Sequence, residues 1–129
     1  MQINHVAIWT EDIETMKDFY KTYFSSTPNK RYSNAARGFS SYFLSGIAGA
    51  RLELMHRQDV KAVKVARSAE WIGFAHLAFS VGSRERVEAL TARLKADGYQ
   101  VVDGPRLTGD GYYESVVLDP ENNRIEITV

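Results

Sequence analysis

The sequence predicts an α+β protein built of two tandem β-α-β-β-β modules, and three observations predict it. The chain is written nearly twice. Asn4-His5-Val6-Ala7-Ile8 opens a segment that closes with Arg51-Leu52-Glu53-Leu54, and Ala75-His76-Leu77-Ala78-Phe79 opens one that closes with Arg124-Ile125-Glu126-Ile127. The spacing from histidine to glutamate is 48 residues in the first copy (5 to 53) and 50 in the second (76 to 126), so one small insertion separates them. The second observation is periodicity: in each copy an alternating segment precedes one of helical spacing, and three strand-like runs follow. The third is size. A chain of 129 residues with 44% hydrophobic content is large enough for a real core. The expected organisation is one domain over residues 1–129, with module one at 1–57, a connector at 58–72 and module two at 73–129.

Taken in order, residues 2–9 read as a strand, and Thr10-Glu11-Asp12 supplies N-cap candidates for a helix. Ile13, Met16, Phe19, Tyr20, Tyr23 and Phe24 recur at helical spacing, and Ser25-Ser26-Thr27-Pro28 stops that helix. A weak strand near 30–32 follows, then strands at 38–44 and 50–55, with Gly46 and Gly49 marking the turn between the last two. The second copy repeats the order: a strand at 74–81, then a helix capped by Ser83, with Val87, Leu90 and Leu94 buried and Gly98 ending it. Strands at 99–102, 112–118 and 124–129 follow, and Asp119-Pro120-Glu121-Asn122-Asn123 makes the last turn. In the connector, Val60, Val63 and Val65 mixed with Lys61, Lys64 and Arg67 suit a short solvated helix.

Composition narrows the function. Sixteen basic and sixteen acidic residues balance, which removes the electrostatic reason to expect nucleic acid or an anionic membrane as partner. The absence of cysteine excludes disulfides, thiolate metal sites and thiol nucleophiles. The N-terminal residues lack the basic and then apolar run of a signal peptide, and no apolar stretch reaches bilayer-spanning length. The expectation is a cytoplasmic domain acting on a small molecule.

Parity along the strands sorts the side chains. His5 shares a face with Ile3, Ala7 and Trp9; Glu53 with Arg51 and Met55; His76 with Phe74, Ala78 and Ser80; Glu126 with Arg124 and Thr128. The opposite faces are apolar throughout and suit packing under the helices. Two imidazoles and two carboxylates thus lie on the mixed faces, where ionisable groups are costly unless water, a cation or a partner satisfies them. The set His5, Glu53, His76 and Glu126 is therefore the candidate metal site. Taken singly, a strand histidine or glutamate is more often structural or exposed. Repetition of the pair at matching places is what lifts the set above that reading. His56 has the opposite parity to Glu53 and no counterpart in the second half, so it is read as structural or exposed.

These residues resemble the vicinal oxygen chelate superfamily, which includes glyoxalase I, fosfomycin-resistance proteins, methylmalonyl-CoA epimerase, extradiol dioxygenases and bleomycin-binding proteins. The strings that carry the resemblance are His5-Val6-Ala7-Ile8, Ala75-His76-Leu77-Ala78-Phe79-Ser80-Val81 and Leu118-Asp119-Pro120-Glu121-Asn122-Asn123-Arg124-Ile125-Glu126. The resemblance covers essentially the whole chain. It implies two βαβββ modules curving into an incomplete barrel around a central cavity. Bacterial glyoxalase I is similar in placing His, Glu, His and Glu at the positions of His5, Glu53, His76 and Glu126. The epimerase commonly has Gln at the second position, fosfomycin-resistance and extradiol enzymes lack a carboxylate ligand there, and bleomycin binders lack the set.

The resemblance implies a divalent cation, Ni, Co or Zn, held by those four residues. It also implies a lyase or isomerase acting through an enediolate on a 2-oxoaldehyde thiol adduct or a related α-hydroxycarbonyl. Glu126 is the expected base and Glu53 its symmetric alternative. The sequence departs from glutathione-using relatives at two places. Trp9 stands where they have an anchoring Arg, and Arg57 stands where an Asn is usual. Trp9 suits an apolar or aromatic ligand or simple core packing, while Arg51 and Arg124 suit an anionic substrate group or cross-strand ion pairs. The alternatives are a metal-dependent transferase, epimerase or dioxygenase of the same superfamily, or a non-catalytic binding or resistance protein. A homodimer is also implied, with each site formed within one chain or across two. The loop 107–113 and Trp71 are candidate lid elements, with a hairpin connection and packing as the plainer readings.

Overall fold

The computed structural model describes residues 1–46, 49–62 and 72–129. The chain divides into two compact units, Met1–Lys64 and Val65–Val129. In the first, β1 (His5–Trp9) leads into α1 (Ile13–Tyr23), then β2 (Thr27–Pro28), β3 (Tyr32–Asn34), β4 (Phe39–Ser45) and β5 (Arg51–Arg57). In the second, β6 (Leu77–Ser80), α2 (Arg84–Ala96), β7 (Val101–Leu107), β8 (Tyr113–Leu118) and β9 (Arg124–Thr128) repeat the order. The α+β class and the βαβββ modules stand as expected. Of the residues expected in a connector helix, Val60 and Lys61 are described and are not helical, while Val63, Lys64, Val65 and Arg67, with Trp71, lie outside the described residues.

Each module has one mixed sheet, open at both edges. The first runs β1-β5-β4-β2 with β3 also on β4, and the second runs β6-β9-β8-β7. In each, the first strand lies parallel to the last, and the remaining pairs are antiparallel. A helix links the first strand to the rest, the crossover that parallel pairing requires.

The helices form where caps and apolar spacing agree. Asp12 accepts a hydrogen bond from Thr15 N and starts α1, whose buried stripe is Ile13, Met16, Phe19 and Tyr20. Ser83 does the same for α2 through Arg86 N. Gly98, at φ 93°, ends α2, and Tyr99 N returns to Leu94 O. Module one closes its core with Leu44, Leu52 and Leu54, and module two with Val87, Leu94, Val117, Leu118, Ile125 and Ile127. Each of these apolar side chains, fully buried, contributes about 2 kcal/mol.

Four details differ from expectation. The weak strand is two short ones, β2 and β3, each paired with β4, and Asn34 ends the second by capping a turn of 3-10 helix (Ala35–Arg37) that Gly38 ends in left-handed conformation. Leu90 is only half-buried, and its neighbour Thr91 takes the buried place, bonded to Val87 O and to Ser115 Oγ at 2.6 Å. The strand predicted from 74 begins at Leu77, so His76 stands one residue before β6. Finally, β7 runs on to Leu107 through register shifts between Val101 and Arg106. Gly104 sits in that irregular stretch at φ 72°, where a Cβ would lie 2.5 Å from the Glu114 carbonyl, so only glycine fits.

Candidate metal centre

Parallel pairing of β1 with β5 sets His5 opposite Arg51 and Ala7 opposite Glu53. His5 and Glu53 are therefore diagonal neighbours on one face, and the small Ala7 leaves room for the imidazole to lean across. Nε2 of His5 comes 3.7 Å from Oε2 of Glu53, with the imidazole 40% and the carboxylate 13% exposed. The other ring nitrogen is held: His5 Nδ1 is 2.9 Å from Asn4 Oδ1, which also accepts from Arg51 Nη2 at 2.7 Å. A guanidinium only donates, so the Asn4 atom is the oxygen, and Nδ1 must carry the proton. The lone pair of a neutral ring then sits on Nε2, facing a carboxylate.

Module two repeats the arrangement. Ala78 stands opposite Glu126, as Ala7 does opposite Glu53, and His76 Nε2 lies 3.3 Å from Glu126 Oε2, with exposures of 42% and 16%. Two electron-rich atoms this close repel unless a proton or a cation lies between them. A divalent ion bound to both at about 2.0–2.2 Å and a ligand angle of about 90–110° sets its donors about 3–3.5 Å apart. The pair in module two fits that spacing, and the pair in module one is a few tenths of an ångström longer. Each module thus brings one imidazole and one carboxylate together. Among the described residues, no group of three or more His, Cys, Asp or Glu side chains is assembled.

The remaining predicted residues sit as follows. Arg51 spreads over the Phe43 ring at 4.5 Å and donates to Asn4, and it makes no ion pair among the described residues. Asn4 is the residue that bonds the His5 ring. Arg124 is half-buried at the start of β9, opposite Leu118. Trp9 is 41% exposed, edge-on to Phe39 and under the Arg57 guanidinium at 5.3 Å. The two places where the sequence leaves the glutathione-type pattern, Trp9 and Arg57, are therefore in contact with one another. His56 Nδ1 bonds the Thr10 carbonyl oxygen at 3.0 Å, in keeping with a structural role. A hollow of about 390 Å³ at the end of β5 is lined by His56, Arg57 and Lys61 among others, and its lining includes neither His5 nor Glu53.

One residue of this face went unnoticed in the sequence. Glu114 on β8 lies opposite Thr128, and Val116 lies opposite Glu126, so Glu114 shares the face of the His76–Glu126 pair. Burial pushes its carboxyl above the ordinary range, and the neighbouring Glu126 charge adds to the effect. The signal was available. A tight turn pairing Leu118 with Arg124 dictates that Glu114 and Glu126 point the same way.

Comparison with known proteins agrees with this architecture. Residues 2–127 match the family model described as Glyoxalase/Bleomycin resistance protein/Dioxygenase superfamily. A curated relative, the uncharacterized protein YqjT of Bacillus subtilis, is 24% identical over 132 residues, spanning 97% of this chain and 96% of its own. Among solved structures, a glyoxalase family protein from Enterococcus faecalis superposes with a TM-score of 0.78 at 22% identity, covering 99% of this chain and 97% of that one. The trypanothione-dependent glyoxalase I of Leishmania major superposes with a TM-score of 0.77 at 18% identity, covering 99% and 86%. At these identities the superpositions speak for the fold. The duplicated βαβββ modules and the match over nearly every residue place the chain in the Glyoxalase/Bleomycin resistance protein/Dioxygenase superfamily.

Proposed function

We propose that the protein is a divalent-metal-dependent lyase or isomerase of the glyoxalase I type, with His5, Glu53, His76 and Glu126 as its metal ligands. The observation that carries this reading is the repeated pair: a histidine Nε2 facing a glutamate carboxylate at 3.7 Å and again at 3.3 Å. The donor set of two imidazoles and two carboxylates suits Ni²⁺, Co²⁺ or Zn²⁺. Such an ion, when bound, polarises two adjacent substrate oxygens and stabilises the charge of an enediolate.

The chain's own groups do the rest. Glu126, half-buried beside His76, takes a proton from one carbon of an α-hydroxycarbonyl and returns it to the neighbouring carbon, with Glu53 as the symmetric alternative. Asn4 keeps the His5 ring in the tautomer that presents Nε2. The substrate proposed is a 2-oxoaldehyde thiol adduct or a related small α-hydroxycarbonyl. With Trp9 and Arg57 at the two departure positions, a thiol other than glutathione suits this chain. A homodimer is part of the same proposal.

The test is metal analysis of the purified protein, followed by assay of methylglyoxal–thiol adducts with each ion. The expected result is stoichiometric metal and turnover, both lost in Glu53→Gln and Glu126→Gln. Unchanged metal content in both variants removes the site. Protein that takes up no metal at micromolar supply, yet binds small ligands, makes it a binding protein instead.

A further inference from the structure

Four contacts close a ring around the His5 side chain. Its Nδ1–H donates to Asn4 Oδ1 at 2.9 Å, and Arg51 Nη2 donates to the same oxygen at 2.7 Å. The Arg51 guanidinium lies over the half-buried Phe43 ring at 4.5 Å, and Phe43 in turn meets the imidazole edge-on, with centroids 5.4 Å apart. The pairing that puts Phe43 opposite Glu53 puts Val116 opposite Glu126 in module two. Ala75 precedes His76 as Asn4 precedes His5, and Arg124 stands two places before Glu126 as Arg51 does before Glu53. Of the three supports, only the arginine is therefore repeated. The Ala75 side chain offers no acceptor for Nδ1–H, and Val116 offers no ring. Among the described residues, no hydrogen bond or ring contact holds the His76 imidazole, which approaches Glu126 through Nε2.

We propose that Asn4, Arg51 and Phe43 are positioning residues that make His5 the fixed histidine of the site and leave His76 the adaptable one, an inference that rests on the metal-dependent reading above. A neutral imidazole ligates only through the nitrogen that carries no proton. Asn4 holds the His5 proton on Nδ1 and so keeps Nε2 open to an ion. At His76 nothing holds the proton on Nδ1, and the facing Glu126 carboxylate draws it onto Nε2, the nitrogen an ion needs. Apparent affinity falls with the population of the competent form, so the His5–Glu53 pair takes the ion first and the His76–Glu126 pair adjusts to it. The two pairs are alike in composition and unequal in preorganisation.

The experiment reads the two rings separately in metal-free protein carrying isotope-labelled histidine, by heteronuclear NMR at alkaline pH, which distinguishes a protonated ring nitrogen from a bare one. The expected result is a proton on Nδ1 of His5 and on Nε2 of His76. Asn4→Ala/Phe43→Val, which writes the residues of module two into module one, moves the His5 proton to Nε2. Asn4→Asp, whose carboxylate accepts both bonds, keeps it on Nδ1. Competition with a chelating dye then compares Ni²⁺ binding by His76→Ala, which retains the held pair, with that by His5→Ala, which retains the other. The first is expected to bind about tenfold more tightly, the low end of the effect of outer-shell partners. The same protonated nitrogen on both rings of wild type overturns the proposal, as does a His5 proton unmoved in the double variant. Where wild type binds Ni²⁺, equal affinity in the two histidine variants overturns it too. A His5 ring held as expected in a wild-type protein that takes up no Ni²⁺ sinks the metal-dependent reading and leaves the positioning intact.

Discussion

Asn4 sets the chemistry of His5 by accepting from its Nδ1, and Arg51 holds Asn4 in turn. Replacing Asn4 by Leu frees the ring and allows the wrong nitrogen to face Glu53. The expected outcome is a 10- to 100-fold weaker metal affinity, the usual effect of losing an outer-shell partner, measured by competition with a chelating dye. Two other glutamates respond to pH in opposite directions. Glu14 takes hydrogen bonds from Lys17, Tyr42 and Arg31, and the Lys17 bond is the main reason its carboxyl titrates below the ordinary 4.5. A lowered value means its stabilising contribution is present above pH 4.5 and is lost as pH falls through the folded value. Glu114 is raised, chiefly by burial, so its contribution is present below pH 4.5 and lost as pH rises through the folded value. Metal-free Glu14→Gln is therefore expected to melt below wild type at neutral pH, and Glu114→Gln above it. In a series of Tm measurements the Glu114 difference should close as pH falls below 4.5, and the Glu14 difference should persist to lower pH, closing only below its lowered folded value. A stabilising substitution at Glu114 is what a residue kept for function rather than for folding shows.

At the scale of elements, the helices are the most legible part of the chain. Their starts carry side chains that satisfy free backbone N–H groups, and α2 ends at a glycine in left-handed conformation. Ser83→Ala removes the bond to Arg86 N and is expected to cost about 1 kcal/mol, read as a lower denaturant midpoint at unchanged slope. Strand ends were less legible. Val101–Leu107 bends through Gly104 against the backbone of β8, a close approach between strands remote in sequence. The Thr91–Ser115 pair is another such case. A threonine on the buried face of α2 reads as a misfit until the hydroxyl facing it from β8 is seen.

On the scale of the molecule, each module holds its own His–Glu pair, and each pair depends on parallel pairing between the module's first strand and its last. If the four residues hold one ion, metal binding couples to folding. Free Ni²⁺ at about 100 times its Kd is expected to stabilise wild type by about 2.7 kcal/mol, lost on adding a chelator. The double variant Glu53→Gln/Glu126→Gln should show no such gain in thermal melts. No helix among the described residues is long and apolar enough to cross a membrane.

The sequence by itself determined the duplication, the order of elements, the helix caps and, within each module, the strand face of its glutamate. Those features rest on local periodicity and on side chains acting within a few residues of themselves. Only the tertiary structure decided that Ala7 and Ala78 make room for the two imidazoles, that Asn4 and Arg51 orient His5, and that Trp9 meets Arg57. It also put Glu114 across from Thr128, whose hydroxyl is buried without a hydrogen-bond partner among the described residues. The physical reason is register. Which residue stands opposite which is set by strand pairing over long separations, and a shift of one place would have turned every one of these side chains to the other face.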